Sequence, residues 1–280
     1  MTKRQRRLRQ LALNLAVAFG GLFFVVPFLW MISASFKTTQ EIFDYPPTLI
    51  PQQLSLANYQ RLFSNWPFTT WYANSVIVAL ATTIMVLFFS SLAGFAFAKY
   101  RFRGKGILFI LLLGSSMIPF PILLIPLFML VANIGWVNSF EALIIPFMAP
   151  AIGIFLMRQF MSYVPSELLD AARIDGASDF RTYWQIAIPL VLPGLATLGI
   201  LTFLGSWNSY LWPLVVLRSS ESMTLPVGMA AMLSGVTAGS APPYGPAMAA
   251  SVLVSIPIIA IFLFLQRYYI AGLTLGGVKQ

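Results

Sequence analysis

The sequence has no cysteine and no histidine, and only 9% of its 280 residues are charged. The lack of cysteine excludes disulfides, thiol catalysis and thiolate metal sites, and leaves the redox compartment open. Proton- or ion-coupled carriers usually place acids or histidines inside the membrane. Here histidine is absent, and all eight acids (Glu41, Asp44, Glu141, Glu167, Asp170, Asp175, Asp179 and Glu221) map to loops or interfaces. A secondary transporter is therefore disfavoured. A membrane enzyme would need a clustered catalytic or metal constellation at one interface. Asp170, Asp175 and Asp179 are the one acidic cluster, and no histidine or cysteine accompanies them. No G-x-x-x-x-G-K-[ST] phosphate loop occurs either, so the chain has no such route to ATP.

The shortage of charge has a positive counterpart. Soluble domains carry about 25% charged residues, whereas 59% of this chain is hydrophobic. Uncharged runs cover Gln10–Phe36, Leu62–Ala98, Gly106–Phe140, Ala142–Met157, Thr182–Leu217 and Ser222–Gln266. Five are long enough for the roughly 20 residues of a spanning helix. The fourth, at 16 residues, suffices if Glu141 sits at the interface and Arg158 snorkels. The expectation is an all-α integral membrane protein with six transmembrane helices, near Asn14–Ala34, Tyr72–Ala98, Ile107–Val131, Ala142–Phe160, Pro189–Leu217 and Pro246–Gln266. The apolar run after the basic N-terminus is too long for a cleaved signal and reads as a retained first span.

Net charge is +9, but its distribution argues against nucleic acid, which needs a soluble basic face. Lys3, Arg4, Arg6, Arg7 and Arg9 precede span one. Lys99, Arg101, Arg103 and Lys105 follow span two, Arg158, Arg173 and Arg181 follow span four, and Arg267 and Lys279 follow span six. In a six-span topology 14 of the 17 basic residues share one side, leaving Lys37, Arg61 and Arg218 on the other. The positive-inside rule then makes both termini cytoplasmic. This gives a basic tail at 1–13, a membrane region at 14–268 and a C-terminal tail at 269–280. The largest cytoplasmic segment is 161–188. Outer loops cover Lys37 to about Trp71, with LANYQRLF as a short interfacial helix, and 218–245. Pro27, Pro119, Pro121, Pro126, Pro146, Pro150, Pro193, Pro213 and Pro257 fall in apolar stretches. Each removes a backbone donor and tends to kink its helix.

The stretch LDAARIDGASDFRTYWQIAIPLVLPG, Leu169–Gly194, is the exception to the apolar pattern. Ser166 suits a helix cap, with Glu167 and Asp170 in the first turn. Gly176 suits a left-handed C-terminal stop, where a side chain would cost roughly 1–2 kcal/mol. Ser178 suits the cap of a second short helix carrying Phe180, Tyr183 and Trp184, aromatics fit for a lipid interface. Leu168, Ala171, Ala172 and Asp175 share one face at helical spacing. Two small alanines there would admit another backbone. An amphipathic linker between spans would satisfy the same pattern.

The spacing resembles the EAA signature of permease subunits of ABC importers: Glu-Ala-Ala, three residues, Gly, nine residues, Ile-x-Leu-Pro. Here it stands as Asp170-Ala171-Ala172, then Gly176, then Ile186-Ala187-Ile188-Pro189. Asp170 replaces the usual Glu and Ile188 the usual Leu. WMISASFK, NSVIVA, LAGFAFAKYRFRGK, WNSYLWPL and QRYYIAGLTLGGVK are similar to the carbohydrate, or maltose-type, branch, so the resemblance reaches from Trp30 to Lys279. It implies the type I importer fold in the bacterial cytoplasmic (inner) membrane and a sugar or sugar-like cargo. It also implies a second permease subunit, two ATPase subunits that carry ATP and Mg, an external solute-binding protein, and no cofactor on this chain. A peptide or an ion as cargo stays open.

By the same resemblance Glu167, Asp170, Ala171, Ala172, Asp175 and Gly176 form the coupling helix that enters a cleft of the ATPase. A neutral sugar calls for hydrogen-bonding and aromatic side chains, which Asn74, Trp207, Asn208 and Tyr210 offer. An aromatic belt and interhelical hydrogen bonds are the competing explanation for those four. MLSGVTAGSAPPYG, with Ser234, Gly235, Gly239 and Tyr244, resembles a loop that reaches into the docked binding protein; a plain flexible loop is the alternative.

Overall fold

A computed structural model describes residues 3–235 and 242–277 of the chain. All regular elements among them are helical. Three helices are long and apolar enough to cross a membrane unbroken: Gln10–Ser35, Phe68–Lys99 and Tyr244–Phe264. They match the first, second and sixth expected spans to within a few residues. The other three expected spans are broken. Lys105–Ser115 meets Phe120–Asn133 at 99°, Glu141–Phe147 meets Ala151–Ser162 at 46°, and Asp179–Leu190 meets Leu192–Trp207 at 82°. Counting each bent pair once gives six spans.

Proline decides where these breaks fall. Pro119 and Pro150 are helix N-caps in extended conformation, and Pro121, Pro146 and Pro193 occupy the first two positions of their helices. There the missing N–H has no partner to lose. By contrast Pro27, Pro126 and Pro257 stay inside helices. The fifth span is also shorter than expected. Instead of running from Pro189 to Leu217 it begins at Leu192 and stops at Trp207, and Leu211–Val216 is a separate helix. Asn208 ends it by donating Nδ2 to the Leu204 carbonyl at 2.8 Å. Pro213 has no N–H to continue the ladder.

The chain forms two compact units. One comprises the chain up to Phe68 and Met229–Ile256. In it the first helix ends where Asn58 Nδ2 donates to the Ser35 and Lys37 carbonyls, at 3.0 and 2.7 Å. LANYQRLF is part of a helix, Ala57–Asn65. Lys37 is buried, with Nζ bonded to the Thr48 carbonyl and hydroxyl and 4.7 Å from the Trp30 ring. The charge is thus solvated by dipoles and a π-face instead of water.

The second unit, Thr69–Gly228 with the chain from Pro257 on, holds the charged segment. Its centre is a close crossing of Phe68–Lys99 with Ala151–Ser162. A Cβ on Gly94 would lie 2.7 Å from Met157 Cβ and 2.8 Å from the Arg158 nitrogen. Gly153 faces Ser90 in the same way, a Cβ there lying 2.6 Å from Ser90 Oγ. Small residues let two backbones touch where lipid offers no hydrophobic drive between helices. Val86, Phe95, Met157, Met161, Tyr183 and Leu198 fill one core around this crossing. Val131, Leu143, Trp212 and Val216 belong to a second. The expected outer loop 218–245 is partly helical, because LPVGMAAMLS (Leu225–Ser234) is rich in good helix formers.

Candidate functional site

The charged segment folds as a helix, a tight stop and a second helix. Ser166–Ile174 is the first helix, but Ser166 does not cap it: Pro165 holds the N-cap position and Ser166 is the first helical residue. The extended Pro165 makes the turn instead, and Lys99 Nζ binds the Val164 and Ser162 carbonyls at 2.5 and 3.5 Å. A cation there offsets the exposed carbonyls at the end of Ala151–Ser162.

The stop is a Schellman motif. Ala177 N–H donates to the Ala172 carbonyl at 2.9 Å and Gly176 N–H to the Arg173 carbonyl at 3.0 Å. Gly176 has φ +78, the left-handed region that glycine enters without strain. Ser178 then caps the second helix, accepting the Arg181 amide at 3.3 Å. Tyr183–Ala187 takes π-helical form before the chain turns through Val191 into Leu192–Trp207.

The two faces of the first helix differ. Leu169 is buried in the core around Met161 and Tyr183 and Ala172 is also buried, whereas Glu167, Leu168, Asp170, Ala171 and Asp175 are exposed. Ala172 therefore does not share the outward face with Ala171 as expected. One inward residue every three or four positions is what an i, i+3 pair requires. Ile174, 87% exposed, joins the outward face and was not singled out from sequence. Its signal was present: an apolar side chain three residues beyond Ala171, with no inward partner left to meet. The second helix also departs from expectation. Phe180 and Trp184 are exposed, but Tyr183 is buried, its ring 5.5 Å from Phe95 and its hydroxyl 2.7 Å from Ser91 Oγ. It fastens the segment to Phe68–Lys99 and does not serve as an interface anchor.

Arg173 bridges the two helices, 3.2 Å from Asp170 and 3.8 Å from Asp179. Asp170 and Asp179 of the acidic cluster are thus joined through one arginine. Such exposed pairs contribute about 0–1 kcal/mol each and serve to orient. Burial pushes the Tyr100 phenol above its ordinary value, and the Arg173 guanidinium lies 5.8 Å from its ring. Among the described residues no three His, Cys, Asp or Glu side chains converge as metal ligands.

Each of the four residues expected along a substrate path has a structural role or position of its own. Asn74 Nδ2 is committed to the Glu221 and Met223 carbonyls at 2.7 and 2.9 Å. Trp207 is buried, stacked on Phe203 and edge-on to Tyr72. Asn208 caps its own helix, and Tyr210 is 42% exposed. A cavity does exist in this unit, lined by their neighbours Ser75, Ser206 and Ser209. Of the expected binding-protein loop, Ser234 ends a helix, Gly235 is exposed, and Tyr244 begins the last helix 5.3 Å from Phe43. Gly239 lies outside the described residues.

Comparison with known proteins agrees with this architecture. The chain is 42% identical over 274 residues, 95% of each chain, to the arabinooligosaccharides transport system permease protein AraQ of Halalkalibacterium halodurans. It is 34% identical over 261 residues to the sn-glycerol-3-phosphate transport system permease protein UgpE of Yersinia enterocolitica, covering 91% of this chain and 92% of that one. Its fold matches a chain in the crystal structure of a bacterial ABC transporter involved in the import of the acidic polysaccharide alginate. The TM-score is 0.85 at 24% identity, over 96% of this chain and 99% of that one. Residues 87–274 match the model of the binding-protein-dependent transport system inner membrane component. That stretch contains the crossing at Gly94, the charged segment and the fifth and sixth spans, and the chain belongs to that family of transport permeases.

Proposed function

We propose that this chain is the permease subunit of an ATP-driven importer for a sugar or sugar-like solute, driven by a separate ATPase seated on Glu167–Gly176. One observation carries the reading. The Ser166–Ile174 helix presents an uncovered outward face, while its inward Leu169 is buried in one core with Phe95, Met157 and Leu198 from three spans, and Lys99 and Tyr183 fasten the chain on either side of it. A push on such a helix moves the spans as bodies, because packed interiors transmit strain. Rigid-body gating between two states follows.

The energy must come from outside the chain, which has no phosphate loop; ATP and Mg reside on two ATPase subunits. The positive-inside bias puts the segment and both termini on the cytoplasmic side. The first span buries none of its apolar window within the chain. That surface suits lipid and a second permease subunit. An external binding protein delivers the solute, with Ser234, Gly235, Gly239 and Tyr244 on the side that receives it. Relatives named for arabino-oligosaccharides and sn-glycerol 3-phosphate support the cargo class.

The test is isolation of the tagged chain from native membranes in mild detergent, with mass spectrometry of its stoichiometric companions. A second permease and an ATPase with a phosphate loop are expected. A chain isolated alone, or a homo-oligomer that takes up solute without ATP, would overturn the reading.

A further inference from the structure

We infer that Arg158, with Arg101 and Arg103 of the basic turn, holds the phosphate headgroup of an anionic phospholipid in the leaflet on the charged segment's side of the membrane. This goes beyond the importer reading, which calls for no particular lipid. The first observation is how the basic residues on that side are used. Lys99 Nζ binds the Val164 and Ser162 carbonyls, and Lys105 Nζ binds the Tyr100 carbonyl at 2.9 Å. Arg173 pairs with Asp170 and Asp179, and Arg181 Nε donates to Gln185 at 3.0 Å. The guanidinium groups of Arg101, Arg103 and Arg158 have no acid and no hydrogen-bond partner among the described residues.

Arg158 decides the site. Its guanidinium lies 3.9 Å from the centre of the Phe109 ring. Phe109 packs in turn on Phe155 and on Phe97, with ring centroids 6.3 and 5.4 Å apart. Phe102, between Arg101 and Arg103, packs on the same Phe97 at 5.8 Å. The three arginines thus flank one cluster of phenylalanines. The depth suits a headgroup. Arg158 is four residues from the end of Ala151–Ser162, and Phe109 four from the start of Lys105–Ser115. Both therefore lie about 6 Å inside the ends of their helices. A guanidinium on a ring face keeps its charge, but its N–H donors stay unused. A phosphate matches that planar fork with two parallel bonds. Acyl chains also have a place: Lys105 and Phe109 share the half-buried face of their helix, while Ile107, Leu108, Ile110 and Leu111 are exposed. The positive-inside bias makes this the cytoplasmic leaflet, whose surface anionic lipids charge negatively. Charge complementarity beside apolar surface favours a lipid over an acidic side chain of a companion subunit, which would bring no acyl chain.

The test places the native complex in nanodiscs of phosphatidylcholine alone or mixed with phosphatidylglycerol. Melting temperature is measured in both, and retained lipid is counted by native mass spectrometry. The variants are Arg158→Gln, Arg158→Lys, the pair Arg101→Gln with Arg103→Gln, and Arg61→Gln as a control on the opposite side. Wild type is expected to retain phosphatidylglycerol over phosphatidylcholine and to melt higher in the mixed bilayer. Arg158→Gln is expected to lose that increment and about 5-fold in phosphatidylglycerol affinity, the worth of one charge near an anionic surface. The paired variant weakens binding in the same sense. Arg158→Lys keeps the charge without the fork and so retains part of the affinity, and Arg61→Gln behaves as wild type. An arginine that only packs on Phe109 would lower the melting temperature equally in both bilayers; an increment preserved in Arg158→Gln therefore overturns the site. Equal retention of the two lipids by wild type overturns it too. Stabilisation by inorganic phosphate in phosphatidylcholine, equal to that by phosphatidylglycerol, would assign the site to a free anion instead. Loss of a companion subunit from Arg158→Gln with lipid retention unchanged would assign the guanidinium to that companion's acid. ATP-driven uptake by the wild-type complex is scored separately, so failure of the lipid site leaves the importer reading standing.

Discussion

Gly176→Ala isolates one backbone turn. Gly176 has φ +78, and a Cβ built there meets nothing within 4 Å. The substitution therefore adds no clash, and its whole effect is the left-handed penalty of roughly 1–2 kcal/mol. Since every 1.4 kcal/mol is about tenfold, the properly stopped helix becomes about 5- to 30-fold less populated relative to a continued or frayed one. Both Schellman bonds, from Ala177 to Ala172 and from Gly176 to Arg173, depend on that turn. The assay is solute-stimulated ATP hydrolysis by the reconstituted complex, alongside ATPase retained per permease. Coupled turnover is expected to fall, by up to that factor, at subsaturating ATPase. Gly176→Asn should recover part of it, because asparagine tolerates the left-handed region. An alanine variant as active as wild type, or asparagine no better than alanine, would refute the turn as the coupling element.

Gly94→Ala should fail differently. Its Cβ would sit 2.7 Å from Met157 Cβ, against about 3.5–4.0 Å for normal contact. Overpacking of about 1–3 kcal/mol is expected as a lower melting temperature of the purified complex. Tyr183→Phe removes the bond to Ser91, which keeps its own bond to Leu87. No group is orphaned, so about 0.5–1.5 kcal/mol of anchoring is lost, seen as weaker coupling with the ATPase still bound. Ile174→Asp, at a site 87% exposed, should change stability by no more than about 0.5 kcal/mol yet reduce ATPase retention on a pull-down.

What could be read from sequence follows the strength of the local signal. Uninterrupted apolar runs placed Gln10–Ser35, Phe68–Lys99 and Tyr244–Phe264 to within a few residues. The broken spans were harder, because an apolar run has the same composition whether or not it turns. Pro119 and Pro150 begin new helices while Pro27 and Pro257 do not, and the difference depends on neighbours distant in sequence. Gly176 and Ser178 were legible because a left-handed stop and an N-cap are local chemistry. Ala172 and Tyr183 were assigned outward and proved buried, since helical spacing gives a face but not which way it points. Hydroxyl partners were out of reach for a related reason. Thr82 and Thr83 are adjacent and identical in type, and only the fold shows that one bonds to its own helix while the other does not.

The most direct test of energy transfer through this segment uses the absence of cysteine. A single Ala171→Cys on the exposed face, with Ala172→Cys on the buried face as its control, would be treated with a short thiol-to-amine cross-linker in native membranes. The expected result is a cross-link from Ala171→Cys to the ATPase, altered in yield by ATP, and little from Ala172→Cys. No ATPase adduct at Ala171→Cys, or equal adducts from both positions, would contradict the seating of an ATPase on this helix.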